Sequence, residues 1–268
     1  LLGDVLGADS PKRFAADVIE ALARGPGLDV VALEIDRDAQ PRIDAYLDAR
    51  DDDAATLLGD SRSVREWEGS GRSYLEIYRR IRALNAEMGA ARRIRVVAMD
   101  VPGWPPSPPP SPARLTQAFG ERTERMAEAL EPWVLGRNDR ARVLVFVDGL
   151  HTMRALARIE TGGEVLDALP MLATRLERDR PAGIFAALVA APGPPSPGLG
   201  LAGFRAGRMF DELGAAAPGG NAFGFTTSPG LRIGVADIEY WREPGVRLEF
   251  TPAGTESSLV DAWVRLPG

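Results

Sequence analysis

The stretch Arg142–Thr152, RVLVFVDGLHT, constrains this chain more than any other. Its unbroken run of Val, Leu and Phe, with charge before it and Asp148-Gly149 after it, reads as a strand buried on both faces, as parallel strands are. Three earlier runs stop in acid in the same way: Leu1–Asp4, Leu28–Asp36 (LDVVALEID) and Ile94–Asp100 (IRVVAMD). Ligands of open parallel sheets bind in the crevice outside the strands' carboxyl ends. Asp4, Glu34, Asp36, Asp100 and Asp148 are therefore expected along one edge of one sheet. His151, the only histidine, follows just after the last of them.

The segments between these runs carry helical spacing. Ser10-Pro11 opens a helix with Phe14, Val18 and Leu22 as its stripe and Ile19 beside them, closed by Gly25-Pro26. Val64–Met88 places Tyr74, Tyr78, Ile81, Asn85 and Met88 at three- and four-residue intervals. In Ala113–Gly136 the stripe is Leu115, Phe119, Arg122, Met126 and Leu130, so the period turns an arginine inward. A guanidinium there needs an acidic partner or a ligand anion, because a buried unpaired charge is costly. After the fourth strand the pattern predicts a helix over Gly163–Glu177 and a fifth strand within Gly183–Ala191. Leu231–Trp241 and Leu259–Pro267 then read as strands, the latter at a sheet edge.

Alternating strands and helices of this kind predict a three-layer α/β fold, a mostly parallel sheet flanked by helices with the site at the strands' carboxyl ends. A single domain over 1–268 is expected, with proline-rich excursions at 102–112 and 192–198 and a Gly-rich portion, 199–268, completing the sheet. A chain of 268 residues supports one such core, burying roughly 75% of its unfolded surface.

Composition removes several classes of function. The net charge of −6 and pI near 5.1 give no basic field for phosphate backbones, so nucleic acid is not an expected partner. No window approaches 18 consecutive apolar residues, so no membrane span is expected, and a cytoplasmic location is. Zero cysteines exclude disulfides, thiolate nucleophiles and cysteine-bound metal. There is no G-x-S-x-G elbow and no phosphate-binding P-loop, and the Gly-rich segments lack the context of a dinucleotide fold. No cofactor and no metal are expected.

What remains is acid–base chemistry. Carboxyl groups crowded in a partly dry cleft raise one another's pKa values, so that one can stay a proton donor while another is a base. The histidine adds a group that ordinarily titrates near 6.5, and Arg122 adds a clamp for a carboxylate or a substrate anion.

Several of these segments, taken in order, resemble the erythromycin-esterase-like and ChaN-like (Tiki-related) superfamily. They are LLG-D, VALEID, W-x8-E (Trp67 and Glu76) with RALNA, IRVVAMD, R-x3-MA, VLVFVDGLH and the terminal LVDAWVRLPG. The resemblance covers residues 1–155 in order and, more loosely, the last strand. It implies that Asp4 and Glu34 stand at the family's two acidic positions, Arg122 at its arginine and His151 at its second histidine. The first histidine, which the resemblance implies would activate water, has no counterpart: Asp4 is followed by Val5-Leu6-Gly7-Ala8.

Two functions are expected from this. The first is a metal-independent, small-molecule tailoring enzyme of natural-product biosynthesis that hydrolyses, eliminates or cyclises. Asp4, Glu34, His151 and Arg122 would be its catalytic groups, and Asp36, Asp100, Asp148, Trp67 and Glu76 would contact a substrate with an anionic group. The alternative is an inactive esterase-like protein that binds a ligand such as haem, or a partner in a homo- or hetero-oligomer.

Overall fold

The computed structural model describes residues 1–4, 9–53, 71–104, 111–134, 141–161, 164–180, 183–190, 223–226, 236–239, 246–252 and 260–266. The strand predictions at the four acid-terminated runs hold: β1 (Leu2–Asp4), β2 (Val30–Asp36), β3 (Arg95–Asp100) and β4 (Val143–Asp148) each end at their acid. With β7 (Ala187–Ala190), β11 (Ala262–Arg265) and β8 (Phe223–Thr226) they form one sheet in the order β3-β2-β4-β1-β7-β11-β8. Every pairing in it is parallel except that of β8 with β11. The four acid-bearing strands are thus immediate neighbours, and their carboxyl ends share one edge.

The sheet is apolar on both faces because successive strand residues point to opposite sides. Val31, Leu33, Leu144 and Phe146 pack in one layer with α1 (Asp9–Arg24), α2 (Gln40–Asp48) and α3 (Gly71–Met88). Ala32, Val145 and Val147 pack in the other with α4 (Pro112–Val134) and α5 (Leu172–Asp179). This is the three-layer α/β arrangement. Truncating a side chain as completely enclosed as Phe146 to alanine would cost about 3–5 kcal/mol.

Three expectations differ from the structure. The buried face of α1 is Lys12, Ala15, Ala16, Ile19 and Ala23, while Phe14, Val18 and Leu22 are only partly covered. The helix predicted over Gly163–Glu177 begins only at Leu172. Ahead of it β5 (Ala155–Thr161) and β6 (Glu164–Pro170) pair antiparallel. These strands join β10 (Val246–Pro252) and β9 (Ala236–Glu239) in a second sheet, ordered β6-β5-β10-β9, which is antiparallel throughout. The last strand, β11, is not at the edge, since β8 covers its outer side. The proline-rich stretch 192–198 lies outside the described residues; of the other, Trp104 is described and Pro112 begins α4, where a missing N–H does no harm.

Two glycines bring the strand ends together. A Cβ on Gly3 would sit 3.1 Å from the Cα of Gly149, and one on Gly149 would sit 2.7 Å from Leu188 and 3.3 Å from the carbonyl oxygen of Asp4. Side chains at either position would push β1 and the turn after β4 apart.

Candidate active site

Asp4, Glu34, Asp100, Asp148, Arg122 and His151 are all buried, and they meet at the carboxyl edge of the sheet. They divide into two clusters, one toward each helical layer. On the α4 side, Arg122 makes four hydrogen bonds. Its Nε and one terminal nitrogen grip both oxygens of Asp100 at 2.7 and 2.8 Å, the same nitrogen reaches Glu34, and the other lies 2.9 Å from Nε2 of His151. Trp104 covers the guanidinium, with its ring centroid 4.7 Å from the central carbon, and meets Phe119 edge-on at 5.1 Å. Bidentate pairing and aromatic stacking are what a planar guanidinium does and an ammonium cannot. The inward arginine of the stripe therefore has acidic partners within the protein, and its donors are directed to them rather than to a substrate anion.

This arrangement fixes the state of His151. A guanidinium only donates, so Nε2 must accept and Nδ1 must carry the proton. Burial, then the charge of Arg122, pushes the imidazole down to about 3, so it is neutral at physiological pH. Its Nδ1–H is buried and has no hydrogen-bond partner among the described residues. The nitrogen with a lone pair faces Arg122, so the histidine does not suit axial ligation of haem.

On the α1 and α3 side, Asp4 accepts from the ammonium of Lys12 at 2.8 Å and from the hydroxyl of Tyr74 at 3.3 Å. The ring of Tyr74 lies 5.6 Å from the Lys12 nitrogen and packs on Phe146. Asp4 and Asp148 are register partners on adjacent strands. Glu34 links the two clusters, since its second oxygen accepts the backbone N–H of Asp148 at 2.5 Å.

Electrostatics separates the carboxyl groups. Burial pushes Asp4 up to about 6, held back by Lys12 and raised further by the charge of Glu34. Burial, then the Glu34 charge, pushes Asp148 up to about 7, against the N–H that Leu150 donates to it at 2.9 Å. Burial works against the charge on Arg122, but Glu34 and Asp100 outweigh it and hold the guanidinium above its ordinary value. Tyr74 is raised well above its ordinary value by burial and by Asp4 and Glu34, so it remains a phenol that donates.

The remaining candidates fall outside this set. Asp36 is half-buried and accepts from the backbone of Asp38 and Gly103, a turn-capping role. Glu76 is exposed on α3, and Trp67 lies outside the described residues. Among the described residues no acid and histidine cluster has the geometry to hold a metal ion, and no helix is long and apolar enough to cross a membrane.

The residue that the sequence reading passed over is Lys12. Its signal was present: Lys12, Ala16, Ile19 and Ala23 recur at intervals of four, three and four, the same inward period that singles out Arg122.

No family pattern matches the sequence, and no curated protein does. Solved structures do share the fold. An erythromycin esterase mutant, EreC in its open conformation, superposes with a TM-score of 0.64 over 100% of this chain and 90% of that one at 14% identity. A protein from Bacillus cereus superposes with a TM-score of 0.56 over 99% of this chain and 87% of that one at 10% identity. At such identities the likeness is one of fold.

Proposed function

We propose that this chain is a hydrolase-type enzyme of small molecules, in which carboxyl groups at the ends of β1 and β4 move the protons. One observation carries the reading: among the described residues the site buries four carboxyl groups, Asp4, Glu34, Asp100 and Asp148, against two cations, Lys12 and Arg122. The surplus acid has to be neutralised by protons, and the two groups raised to near neutrality are Asp4 and Asp148. Such an imbalance is expensive to bury and serves stability poorly, whereas acid–base catalysis requires it.

In this reading Asp4, ionised above about pH 6, takes a proton from water or from a substrate hydroxyl. Asp148, protonated below about pH 7, returns one to the departing oxygen. The Nδ1–H of His151 donates to the substrate's carbonyl oxygen as negative charge develops on it. Arg122 fixes the tautomer that makes this donor, and Glu34 fixes Arg122 and the Asp148 backbone. Ester or lactone hydrolysis needs these proton movements, and so do elimination and cyclisation of a related substrate. A tailoring step in natural-product biosynthesis is a setting in which all three occur, and it carries over the esterase name of a structure with the same fold.

The test is turnover of a panel of aryl esters and lactones. A bell-shaped pH profile of kcat/KM with its maximum between about 6 and 7 is expected. Asp4→Asn should lower kcat by about 10²–10⁴-fold in a folded protein. Full activity in both Asp4→Asn and Asp148→Asn would sink the proposal.

A further inference from the structure

We infer that Lys12 is the positioning residue of this site: its ammonium group holds the Asp4 carboxyl group at the end of β1 in the place from which it acts. The inference rests on the proposed acid–base function and deepens it.

Among 32 Lys and Arg residues Lys12 is the only lysine. The chain uses arginine in exposed pairs, such as Arg24 with Glu87, in the half-exposed pair of Arg175 with Glu124, and in the buried pair of Arg122 with Asp100. A lysine in such a chain marks a position where a guanidinium does not serve. The surroundings say why. Lys12 is completely enclosed, its nitrogen lying 2.8 Å from Asp4 and 5.6 Å from the Tyr74 ring centroid. A compact ammonium fits that gap as a point charge, while a planar fork calls for paired acceptors in its own plane. Stability is a weak reason for the pair, because replacing both partners of a buried ion pair by apolar residues of similar volume is often neutral or stabilising.

Among the described residues, four groups bear on the charge of Asp4: Lys12 from α1, Tyr74 from α3, Glu34 from β2 and Asp148 from β4. Glu34 opposes its ionisation and Asp148, when ionised, does the same. Lys12 is the only cation among these neighbours, so it decides whether Asp4 is available as a base at neutral pH.

A single lysine makes the test direct. With 13C,15N-lysine in the intact protein, one side-chain resonance is expected, stepping in chemical shift near pH 6 as Asp4 takes up its proton. The step should vanish in Asp4→Asn. In Lys12→Met the titration of Asp4, followed through 13C-labelled aspartate, should move upward by about one pH unit or more. The acidic limb of the turnover profile should move with it, with kcat lowered at pH 7 and KM little changed. Lys12→Arg, which keeps the charge and alters its shape, should recover only part of kcat and serves also if Lys12→Met fails to fold. A lysine resonance indifferent to Asp4→Asn, or an Asp4 titration unmoved in Lys12→Met, overturns the inference. Loss of turnover on every ester and lactone in the wild-type protein, with the lysine step intact, would instead defeat the functional reading and leave the Lys12–Asp4 linkage standing.

Discussion

Around Arg122, two acidic side chains and an imidazole are bound into one set by the guanidinium's hydrogen bonds. Around Lys12, a single carboxyl group sits beside another, Asp148, and both lie close to the pH at which they change charge. Both clusters join an acid on a strand to a base on a helix. They differ in saturation: the guanidinium has donors for Glu34, Asp100 and His151 together, while the lone ammonium does not compensate both aspartates. In the proposed function the saturated cluster is the scaffold and the unsaturated one the place where protons come and go.

That contrast can be broken most forcefully at Arg122. Arg122→Met leaves Glu34 and Asp100 buried without their counter-charge, and a loss of about 3–5 kcal/mol in urea denaturation is expected. Arg122→Lys should recover a minor part, since an ammonium cannot reproduce the fork. A loss below 1 kcal/mol in Arg122→Met would remove the scaffold role.

The next effect belongs to the titrating aspartates. Their folded pKa values, about 6 and about 7, lie above the ordinary 3.8, so the folded protein keeps protons that the unfolded chain has released. The stability this brings is full below about pH 4 and is lost as pH rises through 6 and 7. His151, held down at about 3, acts in the opposite sense, contributing fully above its ordinary 6.5 and losing its contribution as pH falls. Between pH 8 and 6.5 the aspartates dominate, so acidification over that range should stabilise the protein. Asp148→Asn keeps an acceptor for the Leu150 N–H while removing the charge. It should be more stable than wild type at pH 8 by about 1–3 kcal/mol, with a flatter pH dependence.

Smallest is the contribution of the aromatic cover. Trp104→Ala removes the ring from Arg122 and from Phe119 and should cost about 1–2 kcal/mol, measured by thermal unfolding, with His151 still neutral by NMR. A protonated His151 in that variant would mean that Trp104, and not the hydrogen bonds of Arg122, maintains the saturated cluster.

The parts of this protein that sequence reveals are those where a single physical demand dominates. Strands β1 to β4 are buried on both faces, so their apolar runs and acidic stops stand out, and the site edge follows from them. Arg122 is visible because its neighbours in the stripe are large and apolar. Lys12 has the same period, but Ala16 and Ala23 are too small to advertise a buried face, and Phe14, Val18 and Leu22 draw the eye to the flank. The β5–β6 hairpin is hidden for a different reason: the spacing of EVLDALP suits either state, and the break that separates it from the helix LATRLERD is the single residue Pro170. Which strand stands at an edge depends on pairing partners distant in the chain, so the covering of β11 by β8 leaves no local trace.

The close approach of Gly3 to Gly149, and of Gly149 to the Asp4 carbonyl, has one more consequence. It sets the spacing of the strand ends, where Asp4 and Asp148 stand, by main chain lying against main chain, before any side chain is chosen. The chemistry carried at those two positions can therefore be exchanged by mutation, acid for amide or one acid for another, while the ruler that spaces them stays the same.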